Sequence, residues 1–161
     1  MTMDTLTTAG AEFARRFRNV LCELQLQTGI YRRIEHLINV FGQEHPNLRA
    51  TYISREVDES YFTGYPVDVL ARPRLQGIAV EGDCMYEFVA FHHGFRADVL
   101  ELRSISHIQE TWLEPKPEEP FVLRVQIYHD VAAATILLAT NGEGQDAVQE
   151  FIARIKYLRG W

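Results

Sequence analysis

Between Phe121 and Leu158 the apolar pattern changes period once, and that change limits the possible folds more than any other feature of the chain. Phe121, Leu123, Val125 and Ile127 alternate with Val122, Arg124, Gln126 and Tyr128, the period-2 pattern of a strand with one face in a core. His129-Asp130 reads as a tight turn, because aspartate tolerates turn geometry and bonds its own backbone. VAAATILLAT, from Val131 to Thr140, is apolar at both parities and predicts a central strand covered on both faces. Asn141-Gly142-Glu143-Gly144 breaks that strand. From Gln145 onward Val148, Phe151, Ile152, Ile155 and Leu158 recur at helical spacing, one apolar stripe on an amphipathic helix. Glu143 and Asp146 lie near its amino end and Arg154, Lys156 and Arg159 near its carboxyl end, as the helix dipole favours. Glu150 and Arg154 stand at pairing distance along the helix, and Gly160 is placed to end it. Such a helix needs a sheet beneath it.

Upstream, Phe13, Phe17, Val20, Leu21 and Leu24 mark one helical stripe, and Ile30, Ile34, Leu37, Ile38 and Phe41 mark another. With Gly29 between them they read as two helices, or as one long helix with a weak middle, since an interior glycine costs about 1 kcal/mol. Gly42 and Pro46 are expected to end this region, and residues 1–8 to be a frayed lead-in. After Asn47 the pattern turns to strands. Thr51 to Phe62 shows mixed alternation and ends at Gly64-Tyr65-Pro66. Val67 to Arg74 is ambiguous, with Pro73 against a central strand. Leu75–Val80, Cys84–Phe91, Phe95–Leu102 and Ser104–Leu113 follow as strands, with a hairpin turn at His92-His93-Gly94 and an exposed polar loop at 114–120.

The expected architecture is α+β. A helical segment over 1–46 and a β domain over 47–161 form one structural unit. About seven mainly antiparallel strands make a curled sheet, a barrel or sandwich, capped by the closing helix. A chain of 161 residues is long enough for one real core. Cys22 and Cys84 give no disulfide framework, MTMDTLTTAG lacks a secretory layout, and no run of 18 apolar residues exists. A cytoplasmic protein without a membrane span is therefore expected. The net charge of −6 argues against broad binding to nucleic acid or anionic membranes.

From about Thr51 to Leu158, the element order and the closing VAAATILLATNGEGQDAVQEFIARIKYL unit resemble the pleckstrin-homology-like fold. There, seven strands form two sheets and a carboxyl-terminal helix plugs one open end. Some members of that fold bind phosphoinositide headgroups through basic residues near the first hairpin. The counterparts here are Arg72 and Arg74 in LARPRLQG, with Arg49 and Arg55 nearby, but the lysine-rich spacing is absent and Glu56, Asp58 and Glu59 sit close. Other members take peptides by strand addition between the closing helix and a sheet edge. Helix-grip proteins, which enclose a small-molecule cavity, and secretion-chaperone-like folds share the small helix-terminated outline.

Six histidines (His36, His45, His92, His93, His107 and His129) form no HxH or HExxH arrangement, and the cysteines form no CxxC. His92-His93 is the most exposed-looking pair, yet adjacent strand residues point to opposite faces. His107 with Asp98, Glu101 or Glu110 fits an acid–base pair or ordinary cross-strand pairing equally well. With no GxSxG, P-loop or dinucleotide fingerprint, no cofactor, metal or catalytic residue is expected. The sequence points to a non-catalytic binding or assembly module, engaging a protein partner or itself through the amino-terminal helices or a sheet edge. Candidate contact residues are Arg72, Arg74, His92 and His93. The alternative is a helix-grip-like ligand-binding protein or enzyme with an internal cavity.

Overall fold

The computed structural model describes residues 7–114, 118 and 121–161. The start of the expected lead-in, residues 1–6, and most of the expected polar loop lie outside the described residues. Two helices open the chain, α1 (Ala9–Leu21) and α2 (Thr28–Glu44). Thr8 caps α1, its hydroxyl accepting the Ala11 amide at 3.0 Å, which satisfies a donor that the first turn leaves free. The chain does not run through as one long helix. A 3-10 turn at Cys22–Leu24 ends at Gln25, whose φ of 55° is left-handed, and α2 folds back onto α1. Gly42, expected to end the second helix, lies buried inside α2, where the two helices cross at Gly10 and Gly42.

Four strands, β1 (Ala50–Ser54), β2 (Leu75–Glu81), β3 (Cys84–Phe91) and β4 (Gly94–Glu101), form an antiparallel sheet in that order. Phe91 pairs with Gly94 across the two-residue turn His92-His93. Between β1 and β2 the chain makes a 3-10 turn, Glu59–Phe62, and a one-turn helix α3 (Val67–Leu70). The strand expected over Thr51–Phe62 thus stops at Ser54. Asp58 accepts from the Ser60 amide and caps the 3-10 turn. β5 (Ile105–Leu113), β6 (Val122–His129) and β7 (Thr135–Ala139) form a second antiparallel sheet with β6 at its centre. Among the described strands no ladder joins the two sheets, so the architecture is an open sandwich and not a closed barrel.

β7 corrects the expectation of a long central strand. Val131 is exposed, only Thr135–Ala139 is extended, and β7 lies at the sheet edge. Leu137 and Ala139 of β7 face the core with α4, while Tyr61 and Gln76 close its edge at Ile136. The closing helix α4 (Gly142–Arg159) begins three residues earlier than its apolar stripe predicts. Asn141 caps it, its Oδ1 accepting the Gly144 amide at 2.7 Å, and Gly160 ends it at φ 89°. Asn141→Ala is expected to cost about 1 kcal/mol, read as a lower urea midpoint with an unchanged slope.

Alternation along the strands sorts the core. Leu75 and Ala79 of β2 and Phe88 and Ala90 of β3 face the helix pair, where Phe13, Phe17, Leu21, Ile34, Ile38 and Phe41 are buried. Gly77 gives the Phe17 ring its space on β2. Leu37 does not join this stripe and stands in solvent. The opposite residues, Ile78, Val80 and Met85, pack with Tyr52, Leu123, Val125 and Leu137 and with Val148, Phe151, Ile152 and Ile155 of α4. The layers are the helix pair, the four-stranded sheet, then the three-stranded sheet with α4.

Candidate functional site

A sheet edge exposes unpaired backbone donors and acceptors, and soluble chains guard such edges with charge or cover. Four of the strands are edges, and three are guarded. β4 carries Arg96, Asp98 and Glu101. β5 carries His107 and Glu110 at exposed positions, and ends in the exposed Trp112 and Leu113. β7 is sealed by Tyr61 of the 3-10 turn and Gln76 of β2. The Ile136 amide donates to the Tyr61 hydroxyl at 2.8 Å, and the Ile136 carbonyl accepts from Gln76 Nε2 at 3.0 Å. β1, ATYIS, has no charged residue and pairs with β2 on one side only.

The free side of β1 opens on a groove of about 840 Å3. α1 stands over one face of the sheet and α4 over the other, so the strand lies between two helices. α1 contributes Ala9, Glu12, Phe13 and Arg16; α4 contributes Ala147, Glu150, Ala153, Arg154 and Tyr157. The small residues leave room beside the strand. Glu12 is held by Arg15 on its own helix. Arg154 does not take the i,i+4 partner that its spacing offers; it donates to the Arg49 carbonyl at 3.2 Å and lies over the Tyr157 ring. Among the described residues Glu150 and Arg16 make no ion pair.

A second feature lies on the same inner face of the sheet, beyond the edge of β7. Glu87 is 3% exposed, and one of its oxygens accepts both the Tyr61 hydroxyl at 2.7 Å and Gln76 Nε2 at 2.9 Å. Burial raises the Glu87 pKa, against the opposing pull of those two bonds and of Arg96. Burial and the adjacent carboxylate push the Tyr61 phenol up as well, so it remains a donor. The knot therefore joins two sheets that share no ladder, and it supplies the partners that Ile136 would otherwise lack. Beside it lies a hollow of about 300 Å3 lined by Tyr61, Phe62, Tyr65, Phe91, Phe95, His93 and Arg96, with the Arg96 guanidinium 5.0 Å from the Tyr61 ring centre.

Two of the four sequence candidates come near this hollow. His93 lines it, with its ring 6.1 Å from Tyr65. Arg74 stands 5.1 Å from the Phe62 ring, with Nη1 buried and without a hydrogen-bond partner. His92 packs edge-on to His93 at 5.4 Å. Arg72 is exposed past the end of α3. His107 stacks on Tyr128 at 4.2 Å, while Asp98 and Glu101 belong to the other sheet and pair with Arg96 and Arg103. Among the described residues no three histidine, cysteine or acidic groups gather as a metal site. No described helix is long and apolar enough to cross a membrane.

Sequence reasoning passed over Glu87 and Gln76. The available signal was a carboxylate inside the otherwise uncharged strand CMYEFVAF, since a charge buried among apolar residues needs partners. The β1 edge left no such signal: its openness depends on which strands end up beside it. No protein-family model matches the chain, and no curated protein matches it in sequence.

Proposed function

We propose that this chain is a non-catalytic protein-binding module on a pleckstrin-homology-like sandwich, taking an extended segment of protein onto the free edge of β1 between α1 and α4. The observation that carries the reading is that β1, of the four described edges, is the one neither charged nor sealed. An added strand would lie about 4.8 Å from β1, gaining main-chain hydrogen bonds for affinity and side-chain contacts with the two helix walls for specificity. The packing beneath supports binding at the edge in preference to an internal cavity: Tyr52 and Phe151 meet at 5.7 Å under α4, filling the space a helix-grip protein would leave open.

The test is selection of phage-displayed octapeptides on sparsely immobilised protein, followed by amide resonances of the complex. Enriched peptides are expected to shift Ala50–Ser54 and to lose at least about tenfold in affinity, roughly 1.4 kcal/mol, when Thr51→Lys places a charge on the edge. Peptides that leave β1 unmoved and bind Thr51→Lys as tightly as the wild type would exclude the reading.

A further inference from the structure

We infer that the segment occupying the β1 edge is the β1 strand of a second copy of this chain. The inference rests on the reading of β1 as an open docking edge and adds to it the identity of the occupant.

Two antiparallel edge strands in one sheet are related by a two-fold axis normal to that sheet. Such an axis sets each flanking element against its own copy, running in the opposite direction. Here α1 would face α1 of the partner on one side of the joined sheet, and α4 would face α4 on the other. Both groove walls carry the same charge order at the same spacing, Glu12 before Arg16 on α1 and Glu150 before Arg154 on α4. Antiparallel copies of a Glu-x-x-x-Arg wall are self-complementary. Each glutamate meets the arginine of the opposing copy once, giving two pairs on each wall and four across the axis. A wall carrying one sign would repel its copy, and a wall without charge would set no register.

The free chain leaves these groups available. Glu150 and Arg16 have no ion-pair partner among the described residues. Arg154 contacts a backbone carbonyl and an aromatic ring, not a carboxylate. Glu12 has only an exposed pair with Arg15, and such pairs contribute little. Arg49 adds one further positive charge to the rim. The strands themselves suit self-pairing. ATYIS is uncharged, β-branched or aromatic at three of its five positions, and centred on Tyr52, whose ring is already fixed against Phe151. The product is a continuous eight-stranded sheet with α1 beside its copy on one face and α4 beside its copy on the other.

The test is a charge swap read by analytical ultracentrifugation of the full chain. The wild type is expected to run as a dimer at about 100 µM, a concentration that resolves even modest affinities. A variant with Glu12→Arg and Glu150→Arg, and another with Arg16→Glu and Arg154→Glu, each present walls of one sign. Each is expected to weaken dimerisation at least tenfold, and an equimolar mixture to restore it as a heterodimer. All four positions are on the surface, and recovery in the mixture would itself show that both variants are folded. A monomeric wild type at that concentration would overturn the self-pairing while leaving the peptide selection on β1 free to succeed. A dimer indifferent to either wall reversal would overturn it too, and would move attention to the exposed Trp112 end of β5.

Discussion

Glu87→Ala is expected to lower stability by about 3 kcal/mol, while Glu87→Gln is expected to leave the fold intact and more stable than the wild type once pH exceeds the raised Glu87 pKa. Alanine removes the acceptor of two buried donors, the Tyr61 hydroxyl and the Gln76 amide. A buried polar group left without a partner costs roughly 1–3 kcal/mol. Glutamine does not have this defect. Both bonds converge on the same carboxylate oxygen, so a single amide oxygen can accept both. What glutamine removes is the charge, together with its attraction to Arg96 at 3.8 Å.

The pH dependence separates the two effects. Burial raises the Glu87 pKa from its usual 4.5. Between 4.5 and the raised value the folded chain holds a proton that the unfolded chain has released. Stability from this group is therefore fullest below 4.5 and falls as pH rises through the raised value. Glu87→Gln has no such loss, so its advantage over wild type should grow as pH rises from 4.5 through the raised value and then level off, measured by urea denaturation at each pH. A difference that stays flat across that range would show that Glu87 is not a buried acid. Two other groups have to be kept apart from this comparison. His129, whose pKa burial lowers from 6.5, titrates in the same window but equally in both proteins. Asp58 is pushed up by burial, but the bonds from Arg124 and Ser60 outweigh that, and its pKa falls below 3.8. Its contribution is present above 3.8 and disappears only on further acidification, outside the window.

Gly42→Ala is expected to cost about 2 kcal/mol although alanine is the better helix former. A Cβ at Gly42 would stand 2.7 Å from the Gly10 carbonyl oxygen and 2.9 Å from the Ala14 Cβ. The first is backbone and cannot rotate aside, so α1 and α2 must separate. Their separation loosens the ring cluster built on Phe41, which meets Phe88 at 4.8 Å and Phe13 at 5.9 Å. Overpacking of this kind costs up to about 3 kcal/mol, and the gain in helix propensity offsets about 1 kcal/mol. Gly29→Ala is the control. A Cβ there meets nothing within 4 Å, and it should be neutral or stabilising by up to about 1 kcal/mol. If both substitutions stabilise, as judged by thermal midpoints, the helices do not cross at Gly10 and Gly42.

What the sequence by itself determined is the series of elements and the faces they bury. The bounding turns around Leu75–Val80, the composition of Cys84–Phe91 and the alternation in Phe121–Tyr128 located β2, β3 and β6 to within a residue or two. The stripe from Val148 to Leu158 located α4 and its buried face. These were legible because period reports which side of a backbone is away from water, and that is a local property. The tertiary structure alone decided what lies on the other side. VAAATILLAT reads as the centre of a sheet, but only Thr135–Ala139 is extended, and β7 is an edge whose backbone bonds to Tyr61 and Gln76, 75 and 60 residues away. Gly42 reads as a helix end, yet it and Gly10 are small because each helix needs the space where they cross. Gln25 carries a left-handed turn that its residue type does not announce. The groove beside β1 is walled by α1 and α4, from opposite ends of the chain. Apolar patterning records that a side chain is buried, whereas the identity of the group that buries it depends on contacts between residues far apart in sequence.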